Sequence, residues 1–434
     1  MQSPSAPNPN PLSPDSLYSL SRDYFSGFSD SRASNVQHTL KDVLMSGLAM
    51  YSLKYPSLLN FEQQSVSERS NLHHLFGVKK LCSDAQMRKI LDEVASDSIR
   101  EFYPQLWTQI KQAGLVKKYQ YLGKYVIASL DGVSHFHSTR VHCPQCLEQH
   151  HRNGTISYSH SMLCAAMVHP NQKEVFVLGS EPILKRDGET KNDCELNAAK
   201  RMTEWLAQKY PQTPFLLVED ALYANGPHLK DIRDKGWQFI VNVKPKSHKS
   251  MFESVASRIK RGKAKKITHH EGGYKHQYLY TNNLPINGTH GDLRVNFVQY
   301  EITTPKGKTT RFSWVSSLNI TKSNVTQIVK AARARWKIEN ETFNTLKNQG
   351  YHFEHNYGHG KKHLATNLAF LMLIAFIIDQ IVQACFKLFR LIWQTLKTKA
   401  KLWETLRALF LTISFKSFQQ LYRKLAHIHQ VKIE

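Results

Sequence analysis

A chain of 434 residues is long enough for about two to four domains and an ample buried core. Lys and Arg number 58 against 34 Asp and Glu, a net charge of +24, which suits a polyanionic partner and steeply salt-dependent binding. The excess recurs in blocks such as KSHKS, SRIKRGKAKK, GHGKKH and KTKAK, so it is more than general solubility. Six cysteines in a chain of this size argue against a disulfide framework. The first residues lack a charged segment followed by an apolar one, so a reducing cytoplasm is the expected compartment.

In chain order, MQSPSAPNPNPLSPDS carries prolines at 4, 7, 9, 11 and 14. Proline donates no backbone N–H, so residues 1–30 are expected as a disordered Pro/Ser-rich tail. Over 31–115 apolar residues recur at three and four spacings, as in LKDVLMSGLAMYSL and AQMRKILDEVASDSIREFYPQLWTQI, with Ser83 or Asp84 available as a cap. This predicts a helical N-terminal domain and a candidate for DNA-end binding, although no helix-turn-helix spacing marks a recognition helix.

The pattern then turns to short apolar runs: YVIASL, TISYSHSMLCAAMV, EVFVLG, a helix through ELNAAKRMTEWLAQKY, PFLLVE, a helix near HLKDIRDKG, and WQFIVNV. Three strands, a helix, a strand, a helix and a fifth strand predict an α/β layer over 120–260, in the order of a mixed five-stranded RNase H-like sheet. YKHQYLY and LRVNFVQYEI, separated by Asn, Gly and Pro turns, predict a β-rich insertion over 261–318. Residues 319–375 would complete the core with a helix bearing Glu339, and 376–434 read as basic C-terminal helices. Within LAFLMLIAFIIDQIVQACF, Asp379 and Gln380 interrupt the apolar run after about a dozen residues, too few to cross a bilayer. A buried core helix and no membrane span are expected.

Three acids stand in distinctive settings. Asp131 follows YVIASL and Asp220 follows FLLVE, at strand ends where an open sheet presents its ligand groups. Any one such Asp more often caps a turn, but two at the expected ends of neighbouring strands favour a site. Glu339 lies in ARARWKIENETF, and Arg335, Glu339, Thr342 and Leu346 share a helical face. Spacing alone divides evenly between a metal-binding carboxylate beside a phosphate-binding guanidinium and a surface i,i+4 ion pair. Hard carboxylate oxygens suit Mg²⁺, and two such ions can clamp the attacking and leaving oxygens of a phosphodiester displacement.

The stretch VHCPQCLEQHH places Cys143 and Cys146 near His142, His150 and His151. Cys143, Cys146 and His150 make a candidate structural zinc site; the alternative is a loop that carries thiols and imidazoles without a metal, since a second CxxC is absent. His160 reads as a core histidine. Asp193 or Glu195 could orient a ligand or cap a helix, and Tyr223 and Asn225 could line DNA or shape the turn after Asp220. Lys244, Lys246 and Lys249 in KPKSHKS are candidates for contact with the DNA backbone. Trp393 and Trp403 fall among basic residues, where such aromatics serve a core more often than a partner.

RWKIENETFNTLK resembles the signature helix of insertion-sequence DDE transposases, whose pattern is Tyr, two residues, Arg, three residues, Glu, six residues, Lys. Arg335 and Glu339 match; Ala332 stands at the Tyr position and Leu346 at the Lys position, with Lys347 one residue late. Glu341 is the rival acid. LMSGLAMYSLKYPSLLNF, SDAQMRKILDEV, ASLDGV, EPILKRDGETKNDCELNAAKR, VEDALYANGPHL and NVKPKSHK are similar to segments of one subgroup of these enzymes, and the resemblance covers about residues 24 to 370. It implies an RNase H-like catalytic domain, with Asp131, Asp220 and Glu339 holding two Mg²⁺ (or Mn²⁺) ions for strand cleavage and transfer. It also implies Arg335 and Lys347 on DNA, double-stranded transposon ends and target as partners, a homodimer in the active complex, and a bacterial, nucleoid-associated setting. The alternatives are an RNase H-fold nuclease without strand transfer and an inactive DNA-binding remnant.

Overall fold

The computed structural model describes residues 10–30, 32, 35–65, 69–185 and 192–432. Residues 1–9 of the expected tail and 186–191 within EPILKRDGETKNDCELNAAKR lie outside the described residues. The rest of the tail departs from expectation. Ser13 caps a helix, α1 (Pro14–Ser26), by accepting the Ser16 N–H, and Pro14 occupies the first turn, where its missing donor costs nothing. Leu17, Tyr18 and Phe25 of α1 are buried, and the Tyr18 ring stacks on Phe418 at 4.6 Å. Here proline starts a helix that apolar residues then hold in place.

Helices continue as α2 (Leu40–Ser52), α3 (Leu58–Ser65), α4 (Arg69–Phe76), α5 (Asp84–Asp92), α6 (Ser96–Arg100), α7 (Phe102–Gln112) and α8 (Leu115–Lys118), with Thr39 and Ser83 capping α2 and α5. Strands β1 (Gln120–Tyr121), β2 (Tyr125–Ser138), β3 (Leu147–His150), β4 (Ile156–Met167) and β5 (Phe176–Ile183) precede α9 (Glu195–Lys209) and β6 (Phe215–Glu219). After a 3₁₀ turn (Ala221–Tyr223) come α10 (Gly226–Asp234), β7 (Gln238–Asn242) and α11 (Lys249–Lys260). The insertion supplies β8 (Lys265–Glu271), β9 (Tyr274–Pro285), β10 (Arg294–Thr303) and β11 (Thr309–Ser316). There follow α12 (Val325–Arg333), a π-helical segment (Ile338–Phe343), α13 (Asn344–Asn348), α14 (Leu364–Cys385), α15 (Lys387–Leu396), α16 (Lys399–Thr412) and α17 (Phe418–Ile428).

The sheet runs β3-β4-β2-β6-β7-β11-β10-β9-β8, with β5 also on β4 and β1 on β2. Within it β5-β4-β2-β6-β7 forms the RNase H-like core: β4 is antiparallel to β2 and β5, while β2, β6 and β7 are parallel. β6 is buried along its whole length, as expected for a strand covered on both faces. The insertion extends this sheet, because β11 zips antiparallel onto β7 through Trp314–Asn242, Val315–Val241 and Ser316–Ile240. β2 is longer than the apolar run suggests. Its parallel ladder with β6 stops at Ser129, whereas its antiparallel pairing with β4 carries on past Asp131 to Ser138.

The helices at the two ends of the chain share one layer: α14 packs on α2, α5 and α6, and α17 on α1. α14 is the single helix among the described residues long and apolar enough to cross a membrane, yet nearly all of it is buried inside the protein. The two polar residues that break its apolar run explain its place. The Asp379 carboxylate meets Lys54 Nζ at 2.6 Å and accepts the Tyr351 hydroxyl, while the Gln380 side chain accepts the Val175 N–H at 3.2 Å. Lys54 Nζ also donates to the carbonyls of Tyr51 and Ser52, both at 3.1 Å, and lies over the rings of Tyr351 and Trp403. Trp403 is therefore a buried ring, whereas Trp393 is half-buried beside Lys173 and Lys399.

Candidate active site

Asp131 sits on β2 just beyond the last residue paired to β6, where the neighbouring strand has already turned away. Asp220 follows the final residue of β6, and its carboxylate accepts the Leu222 N–H at 2.8 Å, capping the 3₁₀ turn. It therefore fills the ordinary turn-capping role and stands at the expected strand end as well. Gly132 has a packing reason: a Cβ there would lie 2.4 Å from Glu195 Oε2. Glu195, the first residue of α9, is thus pressed against the strand next to Asp131, and the buried Tyr223 hydroxyl donates to its Oε1 at 2.5 Å.

The third acid arrives on a helix that is not regular. Instead of one continuous α-helix through Arg335 and Leu346, α12 ends at Arg333, the backbone turns, and residues 338–343 form a π-helical segment. Such segments are rare and concentrate at functional sites. Arg335, in the turn, joins two of the acids: Nη1 lies 3.2 Å from Asp131 Oδ2 and Nη2 lies 2.6 Å from Glu339 Oε1. Thr342 and Leu346 face the interior. Glu341 points elsewhere, lining a groove with Lys173, Trp336 and Trp393.

The balance of charge here is lopsided. Asp131 is mostly buried, and burial pushes its carboxyl up to about 7 even though Arg335 favours the charged form; Glu339, Glu195 and Asp220 each push it further up. One guanidinium thus pairs with Asp131 and Glu339, while Glu195 and Asp220 add negative charge near Asp131. Among the described residues, these carboxylates do not close to within 4.8 Å of one another as a set of three, and Arg335 stands between Asp131 and Glu339. Hard oxygen donors carrying surplus negative charge in a partly desolvated cleft fit divalent cations.

The other sequence-flagged residues divide by position. Lys244, Lys246 and Lys249 are exposed in the turn from β7 into α11, and His248 Nε2 donates to the Ala224 carbonyl at 2.9 Å, fastening that turn to the segment after Asp220. Lys347 pairs with Glu354 at 2.6 Å. Asp193 meets Arg201 at 2.6 Å, Asn225 caps α10, and Tyr223 shapes the turn and holds Glu195. Cys143 and Cys146 come together with His160 and His359, while His150 extends from the exposed end of β3 near Glu148. The expectation of His150 beside the two sulfurs is thereby corrected: β3 pairs with β4 and carries His150 outward, while His160 of β4 points in. Reasoning from sequence missed His359, known only as part of the basic block GHGKKH, and Trp336, whose side chain is 60% exposed next to Arg335. Glycines on both sides of His359 were the available sign.

The family model described as "Transposase DDE domain" matches residues 145–377, more than half of the chain. The chain belongs to the DDE transposases. The matched span contains Asp220, Arg335 and Glu339 and begins after β2, so Asp131 rests on the sheet geometry and on its ion pair with Arg335. No curated protein matches the chain. As a DDE transposase it has an RNase H-like fold, acts in transposition, has DNA as its partner, and comes from a family that generally uses divalent metal ions.

Proposed function

We propose that this transposase cuts DNA at the ends of an insertion sequence and joins the freed 3′-hydroxyl to target DNA, with Asp131, Asp220 and Glu339 as the acids that hold two Mg²⁺ or Mn²⁺ ions. The observation that carries this reading is the bridge from Arg335 to both Asp131 and Glu339: Arg335, 204 positions beyond Asp131 in the chain, ties that acid on the central strand to one four residues further on. An ordinary surface ion pair needs no such link.

When bound, the ions supply Lewis-acid activation of water or of the 3′-hydroxyl and neutralise charge on the scissile phosphate. The chain contributes the rest. Asp131 and Asp220 project from adjacent parallel strands that hold them rigid, and the Tyr223 hydroxyl keeps the Glu195 carboxylate in the cleft as a further source of negative charge. Arg335 offsets part of that charge before DNA arrives and can then turn its planar guanidinium to a phosphate. Lys244, Lys246 and Lys249 are exposed on the turn fastened beside Asp220, suited to backbone contact. The exposed indole of Trp336 offers a stacking face for a base. No protein nucleophile is required. Because ends are processed in pairs, we assign a homodimer to the active complex and a bacterial cytoplasm, at the nucleoid, as its setting.

The test is incubation of the purified chain with Mg²⁺, DNA carrying the flanking repeats and a target plasmid. Cleavage and joined products are expected from the native chain, and neither from Asp131→Asn, Asp220→Asn or Glu339→Gln. Cutting by those variants would overturn the assignment of the acids. Cutting without joining by the native chain would leave a nuclease.

A further inference from the structure

We infer that Cys143, Cys146, His160 and His359 form a four-ligand zinc site, separate from the acids, that locks the chain segments around the catalytic centre. One ligand atom from each residue lies within 4.8 Å of all the others. The two sulfurs are 3.9 Å apart, Cys143 Sγ is 3.2 Å from His160 Nε2, and Cys146 Sγ is 3.2 Å from His359 Nε2. For tetrahedral zinc with Zn–S about 2.3 Å and Zn–N about 2.0–2.1 Å, the sulfur–sulfur edge is about 3.8 Å and the sulfur–nitrogen edge about 3.5 Å. The observed edges fall on either side of these values, so the ligands need to move by only a few tenths of an ångström.

The surroundings suit zinc for three reasons. First, the donors are two thiols and two imidazoles, the soft and borderline set that zinc takes. Second, Cys143, Cys146 and His160 are buried, and a dication with two thiolates and two neutral imidazoles carries no net charge, so burial costs little. Third, each ligand is presented by a rigid element. The CPQC turn is closed by Cys146 N–H on the Cys143 carbonyl at 3.1 Å, and the Cys143 N–H points at Cys146 Sγ at 3.3 Å. His160 sits on β4 opposite Phe136 of β2. His359 is packed edge-on against Phe136 with ring centres 4.1 Å apart.

The segment bearing His359 is itself fixed. Gly360 adopts φ +65°, and a Cβ there would lie 2.2 Å from Asp92 Oδ1. Asp92 accepts the N–H groups of Lys361, Lys362, His363 and Leu364, which caps the start of α14. An ion at this site would therefore join the far end of β2, which carries Asp131, to the segment between the Glu339 helix and α14. Its role is positional: it holds the two parts of the chain that must bring Asp131 and Glu339 together. The inference does not depend on which reaction the acids perform.

The test is metal analysis of the full chain, purified under reducing conditions without chelator. About one zinc per chain is expected, retained in the Asp131→Asn, Asp220→Asn, Glu339→Gln triple variant and lost in Cys143→Ser, Cys146→Ser. Replacement with Co²⁺ should give thiolate-to-metal absorption in the near ultraviolet and the visible bands of tetrahedral cobalt. His359→Gln changes a half-exposed side chain, so its fold should survive even if the cysteine variant does not; it should bind zinc at least about tenfold more weakly in chelator competition. Overturning results are a zinc-free native chain that gives no cobalt thiolate absorption, a disulfide between Cys143 and Cys146 in the reduced preparation, or zinc affinity unchanged in His359→Gln.

Discussion

Two ion-pair centres in this transposase use the same chemistry with opposite balance. At Lys54–Asp379 one cation meets one carboxylate deep in the helical layer; the ammonium also donates to two carbonyls, and the same carboxylate oxygen accepts the Tyr351 hydroxyl. At Arg335 one cation serves Asp131 and Glu339 with Asp220 and Glu195 close enough to perturb Asp131. The first centre is complete in itself, and burial of Lys54 there is tolerable because its partners are fixed. The second leaves negative charge over. Surplus charge in a cleft is unfavourable to the folded chain alone, and it marks where a cation and an anionic substrate can make up the difference.

That contrast can be broken experimentally. The largest effect is expected at the unbalanced centre: Asp131→Asn, Asp220→Asn or Glu339→Gln should each cut cleavage by about a thousandfold or more while DNA affinity in a gel-shift titration changes little. Next, Asp379→Asn should destabilise the fold by about 3–5 kcal/mol, read from the chemical denaturation midpoint, because it strands a buried ammonium; replacing both partners, Lys54→Met with Asp379→Leu, should recover most of that loss. If Asp379→Asn were harmless, the centre would not be the closed pair described.

Smaller effects sharpen the difference. Arg335→Gln removes the cation that bridges Asp131 and Glu339, so with chelator at pH 8 its melting temperature should fall by about 2–4 °C, and Mg²⁺ should restore part of it. The opposite shift is expected for Asp131→Asn. In the folded chain Asp131 holds its proton up to about pH 7, whereas an unfolded Asp releases it near 3.9. The folded state thus binds more protons between those values, and the metal-free native chain loses stability as pH rises through that window. Asp131→Asn should melt about 2 °C above the native chain at pH 8 with chelator, with the gap closing near pH 4. A native chain whose stability relative to Asp131→Asn is flat across that range would show that the carboxylates are not crowded.

Parts of the fold and site were legible in the sequence for a local reason. The short apolar runs that become β2, β4, β5, β6 and β7 are strands because each must be buried on both faces, and that requirement is written in consecutive residues. Asp131 and Asp220 stand out as a pair, because each follows such a run on neighbouring strands, although either alone would more often cap a turn. The tail was less legible: prolines that argue against helix elsewhere in 1–16 include Pro14, which begins α1, since the rule depends on where in a helix the ring falls.

The sequence by itself therefore determined the order of the core strands β2, β4, β5, β6 and β7, the basic character, two carboxylates that follow apolar runs, and a CPQC turn with thiols to offer. Only the tertiary structure decided which partners those groups meet. Arg335 reaches Asp131 across the fold as well as Glu339 four residues away, through a backbone turn and a π-helical segment that no spacing rule foresees. Likewise the imidazoles beside Cys143 and Cys146 come from β4 and from a segment 213 positions beyond Cys146, not from His150 nearby in sequence. α14 is apolar enough to be buried, and Lys54, 325 positions away from Asp379, supplies the partner that lets that carboxylate go in with it. Each of these is a contact between residues far apart in the chain, and such contacts depend on the packing of whole elements, which local sequence preferences do not encode.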